Sequence, residues 1–309
     1  LGYEARIPKI TINYDIINDA KRMVSLLFRK FITLIKNNKM SKIKTILVGI
    51  DYTKSSDNAL QYAILLAEKS KASVMLFHVY ENPIVHLYSG AYFVDYDNVE
   101  KGNVEKLEKY KAKLLSTHPK LSISILTSDK SIKSSIKELI EKHKISLVVF
   151  GLETKSKVSK FIFGTTGVTL ASKIKCPVII VPDDYKKQQL KHTVLAVDNN
   201  EHLKTKIIKK VKEFNSDLKL QNEFIHVKTE YEFLALPTTK IKKEQAKLKV
   251  KVIESDNFVG GIKSYVSKNK VDLITIISHS HSALYNLFND SNTKLIAFES
   301  KKPVMCFHA

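Results

Sequence analysis

Two short stretches of the chain carry residues able to hold a phosphorylated ligand. Asp51 closes a Val/Ile-rich run and is followed closely by Thr53, Ser55 and Ser56. A carboxylate so placed could hold ribose hydroxyls or a magnesium ion. Gly151 closes a second apolar run, Thr154 follows, and Gly164, Thr165 and Thr166 then open a helical stretch. A helix N-terminus preceded by glycine and hydroxyl residues offers free amides and the positive end of the helix dipole to an anion. The hydroxyls of Thr165 and Thr166 can add bonds to phosphate.

The remaining reactive residue types point to less. His279 and His281 alternate with serines in 278–282. Imidazoles two residues apart on a strand face the same way and could share a metal, but no third ligand is identifiable, and a polar loop with no metal is expected. His78 and His226 each precede a valine at matching places in the chain, which reads as a structural feature. Cys176 and Cys306 lie far apart without a paired spacing, as small buried residues in a reducing, cytoplasmic setting. No Gly-x-Ser-x-Gly elbow, Walker lysine motif or paired carboxylate site occurs. The expectation is a binding protein and not an enzyme, with a slow ATPase left as a further reading that has no clear general base.

The elements that must position these residues alternate. Lys42–Ile50 reads as a strand, Ser56–Ser70 as a helix with Ala59, Ala63, Leu66 and Ala67 on one face, and Ala72–Val79 as a second strand. A loop from Tyr80 leads to a charged helix over Asn98–Ser116. Leu121–Leu126, Ser131–His143 and Ser146–Phe150 continue as strand, helix and strand. A helix near Thr165–Lys173 and a fifth strand over Pro177–Val181 complete the set. Buried, non-alternating strands separated by helices predict an open parallel sheet with helices on both faces.

The pattern then restarts. Thr193–Val197 followed by Asp198 echoes Thr45–Ile50 followed by Asp51. Glu223–Val227, with His226 before Val227, echoes the strand holding His78 and Val79. Val271–Ile277 echoes Ser146–Phe150, and Pro303 before Val304 echoes Pro177 before Val178. Asp198 follows Asp51 by 147 positions and Pro303 follows Pro177 by 126. The second copy is thus shorter by about twenty residues, lost within Lys228–Leu248. The positions matching Gly151, Thr154, Gly164 and Thr165 are Ser278, His281, Ser291 and Asn292, and Asp198 is followed by Asn199 and Asn200. The second copy keeps the strand-one aspartate and no motif glycine.

In their order and spacing these residues resemble the universal stress protein family. Its ATP-binding signature is Gly, two residues, Gly, nine residues, Gly, then Ser or Thr. Here Gly151, Thr154, Gly164 and Thr165 keep the spacing and match at three of four places. Asp51, the pair His78 and Val79, and the Cys-Pro-Val run at 176–178 are also similar to the family. The resemblance covers 42–182 well and 191–309 more loosely. It implies two Rossmann-like, adenine nucleotide alpha hydrolase-like domains with five-stranded parallel sheets. The boundaries are 40–184 for the first, 185–190 for a linker and 191–309 for a degenerate second. It also implies an adenine nucleotide, ATP with magnesium, held by Asp51, Thr53, Val79, Gly151, Thr154, Gly164, Thr165 and Thr166. Two departures stand against that site. Thr154 replaces the second glycine, where close backbone approach or positive φ would tax a β-branched residue, and the 127–129 loop lacks the family's glycine. Relatives pair through their fifth strands, so Val178–Val181 is expected to meet Val304–Phe307 within the chain, with a homodimer as a further assembly.

The chain of 309 residues carries 51 basic and 31 acidic residues, a formal charge of +20. Such a field favours phosphate-bearing partners. The lysines, however, are spread along the chain beside abundant Asn and Ile, as an AT-rich genome produces, with no aromatic platform or nucleic-acid motif. Nucleic acid is therefore not an expected partner. Residues 15–38 read as a basic amphipathic helix, with Ile16, Ala20, Met23, Leu27, Phe31 and Leu34 at helical spacing between Lys21, Arg22, Arg29, Lys30 and Lys36. This stretch could lie on an anionic membrane or dock on a partner. Alternatively residues 1–39 are a leader outside the domain that begins near Met40. Two function classes follow: a stress-response protein binding an adenine nucleotide in its first domain, the second serving as a pairing half, or an interaction scaffold whose nucleotide sites have both decayed.

Overall fold

The computed structural model describes residues 43–81, 96–153, 170, 174, 176–186, 189–197, 205–229, 248–278, 296 and 299–308. The Thr165–Lys173 helix, residues 15–38, Asp198–Asn200, His279, His281, Ser291 and Asn292 lie outside these residues, Leu170 excepted.

The first half runs β1 (Thr45–Gly49), α1 (Lys54–Ser70), β2 (Ser73–Val79), α2 (Tyr96–Thr117), β3 (Ile123–Ser128), α3 (Ile132–Lys142), β4 (Leu147–Leu152) and β5 (Val178–Pro182). The second runs β6 (His192–Ala196), α4 (Thr205–Asp217), β7 (Gln221–Lys228), β8 (Lys251–Glu254), α5 (Phe258–Lys268), β9 (Leu273–Ser278) and β10 (Val304–His308). The strands read from sequence fall within a few residues of these. The third strand of the second half, β8, sits just after the stretch where that half is shorter.

The ten strands among the described residues form one sheet in the order β3-β2-β1-β4-β5-β10-β9-β6-β7-β8. Pairing is parallel within each half, and only β5 and β10 meet antiparallel, with Val304 opposite Ile180, Met305 opposite Ile179 and Cys306 opposite Val178. Both strands are apolar and buried at these positions, because each has a neighbour on both sides and a helical layer above and below. Each aliphatic side chain so buried contributes about 1.5–3 kcal/mol.

Strand alternation divides the core in two. Ile46, Val48, Leu147 and Val149 face a layer made by α1, α2 and α4. Leu47, Val148 and Phe150 face α3 and α5. Helix α1 shows why the chain turns where it does. The Thr53 side chain accepts from the Ser56 amide at the N-terminus, Asp57 complements the dipole in the first turn, and Ala59, Ala63, Leu66 and Ala67 are buried. The helix stops at Lys71, whose backbone is left-handed (φ 58) and whose amide donates to Ala67 O. The open edges are β3 and the short β8, where Lys251 and Glu254 discourage further pairing.

The connection from β5 to β6 is packed. The Tyr185 ring stands edge-on to Tyr62 of α1 at 5.8 Å, and its hydroxyl donates to Asp272 O at 3.2 Å. The Asp272 carboxylate accepts from the Lys191 and His192 amides at 2.9 and 3.1 Å. The turn into β6 and the start of β9 are therefore held to the first half's α1 by one buried polar cluster.

Left-handed backbone at non-glycine residues recurs at Lys71, Lys144, Lys219, Lys249 and Lys301, besides Tyr52. Each costs an L-residue roughly 1–2 kcal/mol, against about 0.5–1 kcal/mol of extra unfolded-state entropy for glycine and a few tenths for a lost helix-end charge. Lys71→Gly and Lys144→Gly are each expected to raise stability by about 0.5 kcal/mol, read as a higher urea midpoint. A lower midpoint for both would show that the lysine contacts outweigh the backbone strain.

Candidate functional site

The strand order reverses between β1 and β4, so the crevice beyond their carboxyl ends is where an open α/β sheet offers a ligand site. Asp51 stands there, two residues past β1. Its Oδ1 accepts from the Thr53 amide at 3.0 Å and from Thr53 Oγ1 at 2.5 Å. Oδ2 has no hydrogen-bond partner among the described residues. Thr53 is fully engaged as the cap of α1, since its hydroxyl also accepts from the Ser56 amide at 3.3 Å. Its work is to fix the Asp51 carboxylate and start the helix.

Gly151 sits inside β4, paired with Val181, with Leu152 after it. A Cβ there would lie 2.3 Å from Ser55 O and 2.5 Å from Ser55 C. The residue lets the start of α1 press against β4, which brings Asp51 and the end of β4 together. Val79 ends β2 opposite Ser128 and packs half-buried on the α3–α5 side of the sheet. Thr154, Gly164, Thr165 and Thr166 lie outside the described residues.

The structure adds a cluster that sequence patterning did not show. Tyr52, next to Asp51, has φ 61, and bulky residues in left-handed backbone concentrate at functional positions. Its ring lies 4.8 Å from His78 and 5.8 Å, edge-on, from Tyr110 of α2. Lys106 Nζ lies 3.8 Å from the ring centroid, a contact worth about 0.5–1 kcal/mol at an exposed place. Tyr110 hydrogen-bonds Asp57 through its hydroxyl. Burial pushes the Tyr52 phenol up; burial, then the Asp57 bond and the charges of Asp57 and Asp51, push Tyr110 up. Both stay protonated at neutral pH. The only advance sign of this cluster is the spacing of Tyr110 with Leu107 and Leu114 on α2.

His78 donates from Nδ1 to Ile50 O at 2.7 Å, and His226 makes the same bond to Val197 O at 3.0 Å. Each ties the end of a second strand to the residue that follows a first strand, which fits the structural reading of these imidazoles. Cys176 and Cys306 are buried, and burial pushes the Cys176 thiol up to about 12. Among the described residues no group of three or more His, Cys, Asp or Glu could hold a metal, and no helix is long and apolar enough to cross a membrane.

A cleft of about 860 Å³ lies at the opposite end of the strands, lined by Lys44, Lys71, His118 and Lys120 among others. Lys71 and Lys120 stand just past the carbonyl ends of α1 and α2, where the helix dipoles call for positive charge, and Lys44 leads into β1. The switch point, with one carboxylate oxygen uncommitted, is the better candidate site.

Two outcomes check this geometry. Gly151→Ala is expected to cost about 1–3 kcal/mol by forcing α1 away from β4. Gly102→Ala, in α2 with nothing within 4 Å of the new Cβ, should gain about 0.5–1 kcal/mol; equal urea midpoints for the two variants would contradict the close approach at β4. At pH 8 the native Cys176 should carry roughly a thousandfold less thiolate than an exposed thiol. Iodoacetamide labelling read by mass spectrometry should therefore reach it only after denaturation.

Comparison with known proteins agrees with this architecture. Residues 42–182 match the universal stress protein family model, and that segment is a domain of the family. A universal stress protein from Archaeoglobus fulgidus superposes with a TM-score of 0.59 at 16% identity, covering 87% of this chain and 98% of that one. A putative universal stress protein from Pseudomonas aeruginosa gives a TM-score of 0.55 at 15% identity, covering 88% and 95%. At these identities the likeness is one of fold, the Rossmann-like adenine nucleotide alpha hydrolase-like arrangement. No curated protein matches the chain.

Proposed function

We propose that the chain is a stress-response protein that binds an adenine nucleotide at the switch point of its first half, and that the second half is a degenerate repeat serving as its built-in pairing partner. The observation that carries this reading is the Asp51 carboxylate. Thr53 fixes one of its oxygens, and the other is left for a ligand at the place where β1 and β4 diverge. Ribose hydroxyls or a magnesium ion accompanying the phosphates suit that oxygen, since a carboxylate accepts only. Gly151 supports it by bringing β4 close to the same turn, and so does the universal stress protein match over 42–182, the segment that carries these residues. In this reading Thr154, Gly164, Thr165 and Thr166 complete the phosphate side, and Val79 flanks the base. The β5–β10 pairing takes up the edge through which single-domain relatives would pair, which suits a tandem protein working in the cytoplasm as one chain.

Binding rather than turnover is the activity proposed. The tyrosine hydroxyls nearest Asp51 have phenols pushed up by burial and stay protonated, so neither is a base for a water, and the Nδ1 of His78 is taken up by Ile50 O.

The test is direct. The purified protein is denatured and the supernatant assayed for nucleotide, and ATP is then titrated by calorimetry. Asp51→Asn keeps an Oδ1 acceptor for Thr53 and replaces the free oxygen by a donor, so it should fold normally and bind about tenfold or more weakly, the loss of one charge-assisted bond. Absence of bound nucleotide together with no binding at millimolar ATP would sink the reading.

A further inference from the structure

Helix α2 brings a cation to the same site, and no motif assigns it a part. Lys106 is exposed and has no ion-pair partner among the described residues. Its ammonium rests over the ring of Tyr52, one residue from Asp51. Tyr110, one turn further along α2, feels the charges of both Asp57 and Asp51 and bonds Asp57 directly. This face of α2 therefore lies against the carboxylates of the site.

Those carboxylates raise an electrostatic difficulty. A nucleoside polyphosphate carries several negative charges, and Asp51 and Asp57 would repel it unless a cation stands close by. Lys106 is placed for that. An exposed cation–aromatic contact is weak, whereas an ammonium bonded to phosphate oxygens is charge-assisted on both sides. A flexible four-carbon stem lets the ammonium leave one for the other without moving the helix. Tyr52 is held by His78 and Tyr110 on its other sides, so its ring stays put when the lysine departs.

We propose that Lys106 is the anion-pairing residue of this site: parked on the Tyr52 ring, it swings off to bond the phosphate groups of a nucleoside polyphosphate held at Asp51. The inference rests on the nucleotide reading above and extends it to a residue of α2.

The experiment titrates the full-length protein with three probes: ATP, adenosine and inorganic tripolyphosphate. Lys106→Gln is expected to weaken ATP and tripolyphosphate about tenfold and leave adenosine unchanged. The slope of log affinity against log salt should fall by about one. Lys106→Arg should restore binding, because a guanidinium stacks on the ring and pairs with phosphate. Lys101→Gln, also exposed on α2, removes the same charge from the same helix and should bind as the unaltered protein does. Equal ATP affinity for Lys106→Gln and the unaltered protein overturns the role of Lys106 and leaves the nucleotide reading intact. Equal losses in Lys101→Gln and Lys106→Gln overturn it too, by showing a general field effect. Tripolyphosphate binding that needs Lys106, with ATP no tighter and adenosine not bound, supports Lys106 and overturns the adenine reading. No binding of any probe overturns both.

Discussion

The antiparallel seam between β5 and β10 is the constraint on which the rest of the structure depends. A five-stranded parallel sheet of this type ends in a strand that is apolar on both faces and unpaired on one side. Val178, Ile179, Ile180 and Val181 are fully buried here. With β10 removed, their outer amides and carbonyls would face water beside aliphatic side chains, an edge prone to promiscuous pairing. Pairing with Val304–Cys306 closes that edge and makes the core continuous, so that α1 and α4 share one apolar layer and α3 and α5 the other. The antiparallel sense has a geometric consequence. The carboxyl ends of β1 and β4 point one way along the sheet and those of β6 and β9 the other, so the two switch points lie at opposite ends of the molecule.

What the seam does for the sheet, a few short-range bonds do for the site. The His78 bond to Ile50 O fixes where β1 ends, and the Thr53 bonds to Asp51 fix where its carboxylate points. Between them Tyr52 takes a left-handed turn that its backbone alone would resist. The ring packing of Tyr52 against His78 and Tyr110 offsets that resistance. The carboxylate is thus held by its neighbours before any ligand arrives, which lowers the ordering cost of binding.

Most of the framework was legible in the sequence because burial writes it there. Strands buried on both faces must be runs of Val, Ile and Leu, and α1 must carry Ala59, Ala63 and Leu66 on one face. The site was legible only in part. Asp51 and Gly151 could be picked out by type and place. The roles of Thr53 as a cap and of Gly151 as a point of close approach depend on distances that spacing does not encode. Gly151 has no need of positive φ; it is the backbone of Ser55 that leaves no room. The left-handed turn at Tyr52 was invisible for the opposite reason, since glycine or asparagine would have marked it and tyrosine does not. The lysines at helix ends hid the C-caps in the same way.

The second half separates what a fold needs from what a site needs. His226 still clips Val197 O, β6 and β9 still pair, and Gly261, without a glycine counterpart in α3, lies so close to Val227 that a Cβ would come within 2.5 Å of its Cγ1. These features are enforced by packing, and losing any of them would cost kilocalories. The positions matching Gly151, Thr154, Gly164 and Thr165 hold Ser278, His281, Ser291 and Asn292 in the sequence, so neither the glycines nor the threonines of the signature are kept there. A repeat freed from binding would therefore drift first at its strand ends and last at its seam. The strand-one aspartate is the informative exception. Asp51 is tied to its own turn through Thr53, whereas Asp198 is followed by Asn199 and Asn200, which cannot repeat that threonine cap with the same residues. In sequence, then, the second half keeps the strand-one aspartate and none of the motif glycines, while its strand pairing and the His226 clip remain.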